Sequence, residues 1–488
     1  MSFCLKACLT RPSNWNLQRH SQQKLALPGS APYPVVAHVL ISAAHKSSGK
    51  TVLSTGISAA LHDRGLRVQT FKKGPDYIDP MWMTRASRRN CYNLDFWTQT
   101  DEEISFMFTK QVQSADIGLV EGNKGLHDGL SEDGCDSNAA LARLLKAPVI
   151  LILDTRGTIR GVAPLVLGYQ QFDPEVKIAG VILNFVGGER HAAKLIHVME
   201  GFTDVPVIGT VYHNRELELV ERYLGLMPSN EDQSAERHIS DISKVVADQV
   251  DLDRIAVIAN SAPPLPHVAE PVTGTSNYGL RIAYARDEAF GFYYLDDLDT
   301  FSRLGVQMLP FDTLHDTSLP EADALFIGGG FPEKRMRELA ANISMKQALR
   351  EVIDQGMPVY AECGGLMYLC NAIRFGSERC TMVGVIDAEC EMHEKPIGRG
   401  YTVLRKSSRH LWSDTPRQSI PGHEFHYSML TNIAGRYDYS FEVQRGFGVN
   451  GKNDGIQYKN LLACYSHQRN TERNQWIPDF LDFIKSCF

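Results

Sequence analysis

Two short stretches carry residue types and spacings that can do chemistry. The first is Tyr360-Ala361-Glu362-Cys363-Gly364-Gly365, preceded by the apolar run Met357-Pro358-Val359. Leu366, Leu369, Cys370 and Ile373 then recur at i, i+3, i+4, i+7, which predicts an amphipathic helix. A cysteine between a buried strand and a helix, followed by two glycines, is built like a nucleophile elbow. A strained turn lifts the thiol clear of the backbone, and small neighbours let a substrate approach. The helix N-terminus is expected to lower the thiol pKa and favour the thiolate. The competing reading is a buried structural cysteine.

The second stretch is Ser42-Ala43-Ala44-His45-Lys46-Ser47-Ser48-Gly49-Lys50-Thr51, directly after the apolar run Val35 to Ile41. A helix with Leu53, Ile57, Ala60 and Leu61 on one face follows. Strand, small-residue loop ending Gly-Lys-Thr, then helix is the context of a P-loop. Backbone N–H groups cradle phosphate oxygens, Lys50 reaches the terminal phosphates, and Thr51 offers a hydroxyl to Mg²⁺. Ala44 stands where the first glycine of the pattern is usual, and Lys46 adds a second lysine. In both respects the loop resembles the deviant P-loops of the dethiobiotin-synthetase and MinD-like group.

Each centre has candidate helpers. Val68-Gln69-Thr70-Phe71 reads as a strand that delivers Lys72 to Pro80, a loop holding Asp76, Tyr77, Ile78 and Asp79. Ile117 to Val120 delivers Glu121 to a glycine-rich loop through Gly129. Acids at the carboxyl edge of a doubly wound sheet suit Mg²⁺ or substrate binding. For the thiol, Ala322 to Ile327 closes on Gly328-Gly329-Gly330, whose N–H groups can face an oxyanion. A base is available in His467, at the end of Leu461 to Ser466, with His423 and His426 as alternatives.

The elements that must position these groups alternate. Strand patterns at Pro148 to Asp154, Ile178 to Asn184 and Val205 to Val211 are separated by helical patterns, which predicts α/β architecture with parallel sheets. With 488 residues the chain exceeds one ordinary core. The proline-rich segment from Ala262 marks a boundary. The expected organisation is an extension at 1–33, a nucleotide-binding domain at 34–261, a linker at 262–278, and a thiol-bearing domain at 279–488. The extension has lysines and arginines and no acid. A hydrophobic content of 43% with 22% charged residues is an ordinary globular balance. The net charge of −7 gives no reason to expect nucleic acid or an anionic membrane as partner. Ten scattered cysteines without a CxxC pair suit reduced thiols in the cytoplasm.

Several segments resemble the cobyrinic acid a,c-diamide synthase family, in order along the chain. They are Phe71 to Pro80, Glu121-Gly122 to Leu126, Gly180 to Asn184 with Glu189-Arg190-His191, and Glu221 to Leu226. Phe290 to Tyr294, Gly328 to Glu333, Ala361 to Leu369 and Gly422 to Ser428 continue the match. The resemblance implies two doubly wound domains, a deviant P-loop domain and a class I (triad-type) glutamine amidotransferase domain. It implies a ligase that uses ATP and glutamine to amidate the a and c acetate carboxylates of a cobyrinate-type tetrapyrrole.

Residue by residue, the resemblance implies Cys363 as nucleophile and His467 as base, with Gly329, Gly330 and Gly364 at the oxyanion. It implies Lys46, Ser48, Gly49, Lys50 and Thr51 for ATP, and Thr51, Asp76 and Glu121 for Mg²⁺. Tyr77, Ile78, Asp79 and Lys124 are implied for the tetrapyrrole. Many triad amidotransferases carry a glutamate two residues after the histidine. Arg469 occupies that position here, so a Cys363–His467 dyad is expected, with the imidazole oriented by another polar group. Three departures, at His45 to Ser48, Met83 and Asn123-Lys124, leave room for sirohydrochlorin or sirohaem as the ring amidated. A partner-binding ATPase switch is the rival from another class, and a homodimer stays open.

Overall fold

A computed structural model describes residues 36–214, 221–222, 225–231, 234–265, 277–412, 418–434 and 437–488. The extension at 1–33 and most of the expected linker lie outside the described residues.

Strand His38–Ala43 is buried along its whole length, as expected of a parallel strand covered on both faces. It lies inside a seven-stranded sheet. From edge to edge the strands are Tyr92–Leu94, Val68–Lys73, Ile117–Glu121, His38–Ala43, Val149–Asp154, Ile178–Val186 and Val207–Tyr212. Every neighbouring pair is parallel. Alternate side chains feed two cores. Val39 and Ile41 pack with helices Lys50–Asp63, Ala235–Gln249 and Leu252–Asn260 on one face. Leu40, Leu151 and Leu153 pack with helices Asp101–Val112, Val162–Phe172 and Glu189–Phe202 on the other. Because the strands are parallel, their carboxyl ends share one edge, which collects the loop at Gly49, Lys72, Glu121 and Asn184.

The second half repeats the layering with a different wing. Gln307–Phe311, Arg281–Ala285, Ala324–Ile327, Val359–Glu362 and Leu461–Cys464 form five parallel neighbours. Asn453–Tyr458, Asp438–Arg445, Gly398–Lys406 and Ser419–His426 then continue the same sheet antiparallel. Helix Ile343–Asp354 covers one face, and Leu295–Arg303 with Trp476–Ser486 covers the other.

The helix after the elbow needs correction. It spans only Gly364–Leu369, and Cys370–Phe375 is a strand of a separate four-stranded sheet. Cys370 leaves the helical region at φ −68°, ψ 172°, and Ile373 pairs with Cys380 and Cys390. A short apolar run satisfies helical spacing and strand burial equally, so its periodicity could not separate the two.

Candidate active site: one cavity between two halves

Cys363 sits at φ 47°, a left-handed conformation rarely taken by a residue with a side chain. Its N–H donates to the carbonyl of Cys464 on the neighbouring strand (2.7 Å), which anchors the turn. This is the strained elbow the sequence called for. The acidity is a different matter. The thiol is 5% exposed, and burial, then the carboxylates of Glu333 and Glu362, push its pKa well above the usual thiol value. The expected stabilised thiolate is therefore not the resting species. Six residues of helix do not offset desolvation and two acids.

His467 lies three residues beyond strand Leu461–Cys464, held by reciprocal backbone hydrogen bonds with His423 (2.7 and 3.2 Å). Its Nδ1 faces Glu362 Oε2 at 3.2 Å. A carboxylate only accepts, so Nδ1 carries the proton and Nε2 is left free to act as base. Glu362 is fixed in turn by Tyr360 Oη (2.6 Å) and the N–H of Gln468 (2.9 Å), both donating to Oε1. The acid in contact with the His467 imidazole is thus the residue preceding Cys363. It was missed in the sequence, where its only signal is a charge at the end of a buried strand. His423 stacks on His467 with centroids 4.8 Å apart and is kept neutral by burial, then by His467 and Arg469. His426 hydrogen bonds the carbonyl of Ser428 through Nδ1 (2.8 Å) and stacks on Tyr465. Both line the cavity, His423 against His467 and His426 against Tyr465.

The glycines fall in two places. Gly329 lies under the His467 ring, so closely that a Cβ there would meet Cε1. The N–H of Gly330 lies 3.0 Å from the point a Cβ on Gly364 would occupy, beside the elbow. Glu333, also buried at this end, has its carboxyl pushed up to about 7 by burial.

At the other centre, Gly49 caps helix Lys50–Asp63 at φ +86°, and a Cβ there would collide with Asn184 Nδ2. Asn184 instead donates to the carbonyl of Ser48 (2.9 Å), bracing the loop, while Ser48 Oγ donates to the carbonyl of His45 (2.8 Å). Lys46 is exposed. Lys50 Nζ donates to the carbonyl of Lys124 (2.5 Å), and burial, then Lys72, push it down to about 8.

Thr51 Oγ1 lies 2.9 Å from Glu121 Oε1 and 3.1 Å from Asp79 Oδ2. Lys72 Nζ bridges the same two carboxylates at 2.8 and 2.5 Å. Burial opposes its charge, but the two acids outweigh burial and raise its pKa. Of the two aspartates, Asp79 rather than Asp76 lies beside Thr51. Asp79, in the first turn of helix Ile78–Ser87, joins Thr51 and Glu121. Asp76 Oδ1 instead accepts the N–H groups of Ile78 and Asp79 at that helix's start, and burial, then Asp79, push its carboxyl up to about 7. Thr51, Asp79 and Glu121 are hard oxygen donors that suit Mg²⁺, and Glu121 Oε2 is buried without a hydrogen-bond partner. Among the described residues no group of three or more His, Cys, Asp or Glu side chains could hold a metal, so phosphate oxygens would complete such a site.

A cavity of about 780 Å³ lies between Cys363 and the loop that follows Lys72, and Lys50, Thr51, Asp79 and Glu121 do not line it. Cys363, His467 and Glu333 line one side, and Asp76, Tyr77, Ile78 and Lys124 line the other. Lys73, pushed down to about 8 by burial, joins the wall, and Arg399 and Arg445 add positive charge. Met83 is fully buried in the core and does not line the cavity. Among the described residues no helix is long and apolar enough to cross a membrane.

Residues 40–226 match the CobQ/CobB/MinD/ParA nucleotide binding domain, and residues 281–475 match the CobB/CobQ-like glutamine amidotransferase domain. The cobyrinate a,c-diamide synthase of Magnetococcus marinus is 40% identical over 449 residues, 91% of this chain and 96% of that one. That of Dehalococcoides mccartyi is 40% identical over 445 residues, covering 88% and 94% of the two chains. That of Methanosarcina acetivorans is 37% identical over 477 residues, covering 92% and 94%. The architecture is a P-loop-like domain joined to a class I glutamine amidotransferase domain, the pair of a glutamine-dependent, ATP-using amidating ligase. With relatives of this identity along most of its length, the chain belongs to the cobyrinate a,c-diamide synthase family.

Proposed function

We propose that the chain amidates the a and c acetate carboxylates of cobyrinate, using ATP and glutamine. The observation that carries this reading is the single cavity walled by Cys363 and His467 on one side and by Asp76 to Ile78 on the other. His467 Nε2 takes the thiol proton as Cys363 Sγ attacks the carboxamide carbon of glutamine. Burial favours the neutral thiol, which suits proton transfer during attack rather than a preformed thiolate. The N–H groups of Gly330 and Gly364, neighbours beside the elbow, would stabilise the oxyanion. His467 then returns the proton to the departing nitrogen, ammonia leaves, and water hydrolyses the thioester to glutamate.

In the other half a substrate carboxylate attacks the γ-phosphate of ATP, releasing ADP and leaving an acyl phosphate. Ammonia displaces phosphate from it to form the amide. Lys50 exchanges its bond to the Lys124 carbonyl for phosphate oxygens, whose negative charge opposes the burial that pushes its pKa down. Thr51, Asp79 and Glu121 would hold Mg²⁺, which supplies positive charge to the phosphates when bound. Arg399, Arg445, Lys73 and Lys124 give the cavity wall the charge a polycarboxylate ring requires. The boundary between the halves is placed at 262–278.

Met83, one departure that left room for sirohydrochlorin, touches the core rather than the cavity and carries no weight for the ring. A partner-binding switch has no use for Glu362 bound to His467. The test is amide formation on cobyrinate, sirohydrochlorin and sirohaem with ATP and glutamine, read by mass spectrometry. Two amides on cobyrinate, lost with glutamine but kept with ammonia in Cys363→Ala, are expected. Preference for another ring, or failure of ammonia in a folded Cys363→Ala protein, overturns the reading.

A further inference from the structure

The loop that carries Asp76 and Asp79 also sends a side chain into the other half. Tyr77 is 8% exposed, and its ring lies parallel to Phe292, with centroids 5.3 Å apart and planes 4° apart. The same ring contacts Tyr294 (4.9 Å), His423 (5.5 Å) and His467 (5.2 Å). A residue of the nucleotide-binding half therefore completes the aromatic packing around the base of the glutaminase half.

A second connection runs through the backbone. Asn93 Nδ2 donates to the carbonyls of Gly74 (2.8 Å) and Asp76 (2.7 Å), which fixes the path of the loop. Arg469, two residues after His467, donates through Nη2 to the carbonyl of Asn93 (2.6 Å). Arg469 is 1% exposed, ion-paired through Nε with Asp296 (2.9 Å), and its guanidinium lies 4.8 Å from the Tyr294 ring centroid. The segment holding His467 and the loop holding Tyr77 are thus tied twice, ring on ring and through Arg469–Asn93.

We propose that Tyr77 is a positioning residue that couples the two reactions: its ring holds His467 in a resting arrangement until a substrate carboxylate at Asp76 to Ile78 draws the loop away. This rests on the reading of the cavity given above. The resting thiol, buried and uncharged, fits a glutaminase that waits. Arg469, where many related enzymes carry a glutamate, is the strut that keeps the loop and the histidine in register.

The test uses the full chain and measures glutamate release from glutamine alone, then with cobyrinate and ATP added. Tyr77→Ala is expected to raise the glutamine-only rate about fivefold or more, the factor that lost aromatic contacts supply, and to reduce stimulation by substrate. Tyr77→Phe, which keeps the ring, is expected to raise it less. Arg469→Lys removes the Nη2 bond to the Asn93 carbonyl while keeping a charge beside Asp296, and is expected to act in the same direction. It reads the coupling if Tyr77→Ala does not fold. A role in ring binding alone would leave the glutamine-only rate where it was. An unchanged or lower rate in folded Tyr77→Ala, or an equal rise in Tyr77→Phe, overturns the proposal. If the wild-type chain releases no glutamate under any condition, the glutaminase reading itself fails, and the two failures are told apart.

Discussion

Replacing Glu362 by Gln changes one atom of a buried side chain and tests how the base is oriented. Glu362 is 2% exposed, does not line the cavity, and touches His467 only through Nδ1. The amide oxygen of Gln can still accept from Tyr360 and Gln468, which leaves the new NH₂ group facing the imidazole. A donor there reverses the tautomer, so Nε2 carries the proton and cannot receive one from the thiol. The lost bond to a charged group is worth roughly 1.5–3 kcal/mol, or about 10- to 150-fold in rate. An opposing effect exists, because the Glu362 charge helps hold the thiol pKa up. It ranks behind burial and Glu333, so the loss of the proton acceptor dominates. Glutamine-dependent kcat/KM is expected to fall about 10²-fold, mainly in kcat, since glutamine does not meet this side chain. Steady-state glutamate release measures it, and ammonia-dependent synthesis serves as the control for folding. A glutaminase within about threefold of wild type refutes the assignment of Glu362 as the orienting acid.

Three further expectations follow from the same geometry. Glu333→Gln removes a charge that raises the thiol pKa, so alkylation of Cys363 by iodoacetamide accelerates. Because Glu333 itself titrates near 7, the acceleration grows from pH 6 to pH 8, and a pH-independent ratio contradicts the coupling. Asp79→Asn leaves Lys72 with one carboxylate and removes the charged acceptor beside Thr51, so synthesis with either glutamine or ammonia drops about 10- to 100-fold while glutaminase persists; retained synthesis would return the role to Asp76. His410 is buried, packed on Phe441, and held down to about 3 by burial, then by Lys406. A depressed histidine contributes stability that is complete above its unfolded value of 6.5 and is lost as pH falls toward 3. His410→Phe is therefore expected to flatten the loss of stability between pH 6.5 and 4 in urea titrations.

The elbow and the phosphate loop were legible because each is local: a strand, a turn with small residues, and a helix start lie within a dozen positions. The residues that complete them were not. Glu362 becomes an orienting acid only because Leu461–Cys464 pairs beside Val359–Glu362 and carries the chain on to His467. Asp76 and Asp79 look alike in sequence. Which one meets Thr51 is decided by where the helix begins, since a start at Ile78 turns Asp79 inward and leaves Asp76 to cap. Lys72 reads as loop in the sequence, whereas it lies within strand Val68–Lys73 in register with Glu121. The thiol's acidity also escaped sequence reasoning, because desolvation and the approach of Glu333 are tertiary effects.

The central claim is that nitrogen freed at Cys363 reaches the activated carboxylate through the shared cavity, without passing through solvent. Glutamine carrying a heavy nitrogen in its amide, supplied with ATP, cobyrinate and an excess of unlabelled ammonium, tests it directly. Mass spectrometry of the product is expected to show amides that retain the heavy nitrogen of glutamine. Amides whose label matches the diluted bulk ammonium would contradict the account.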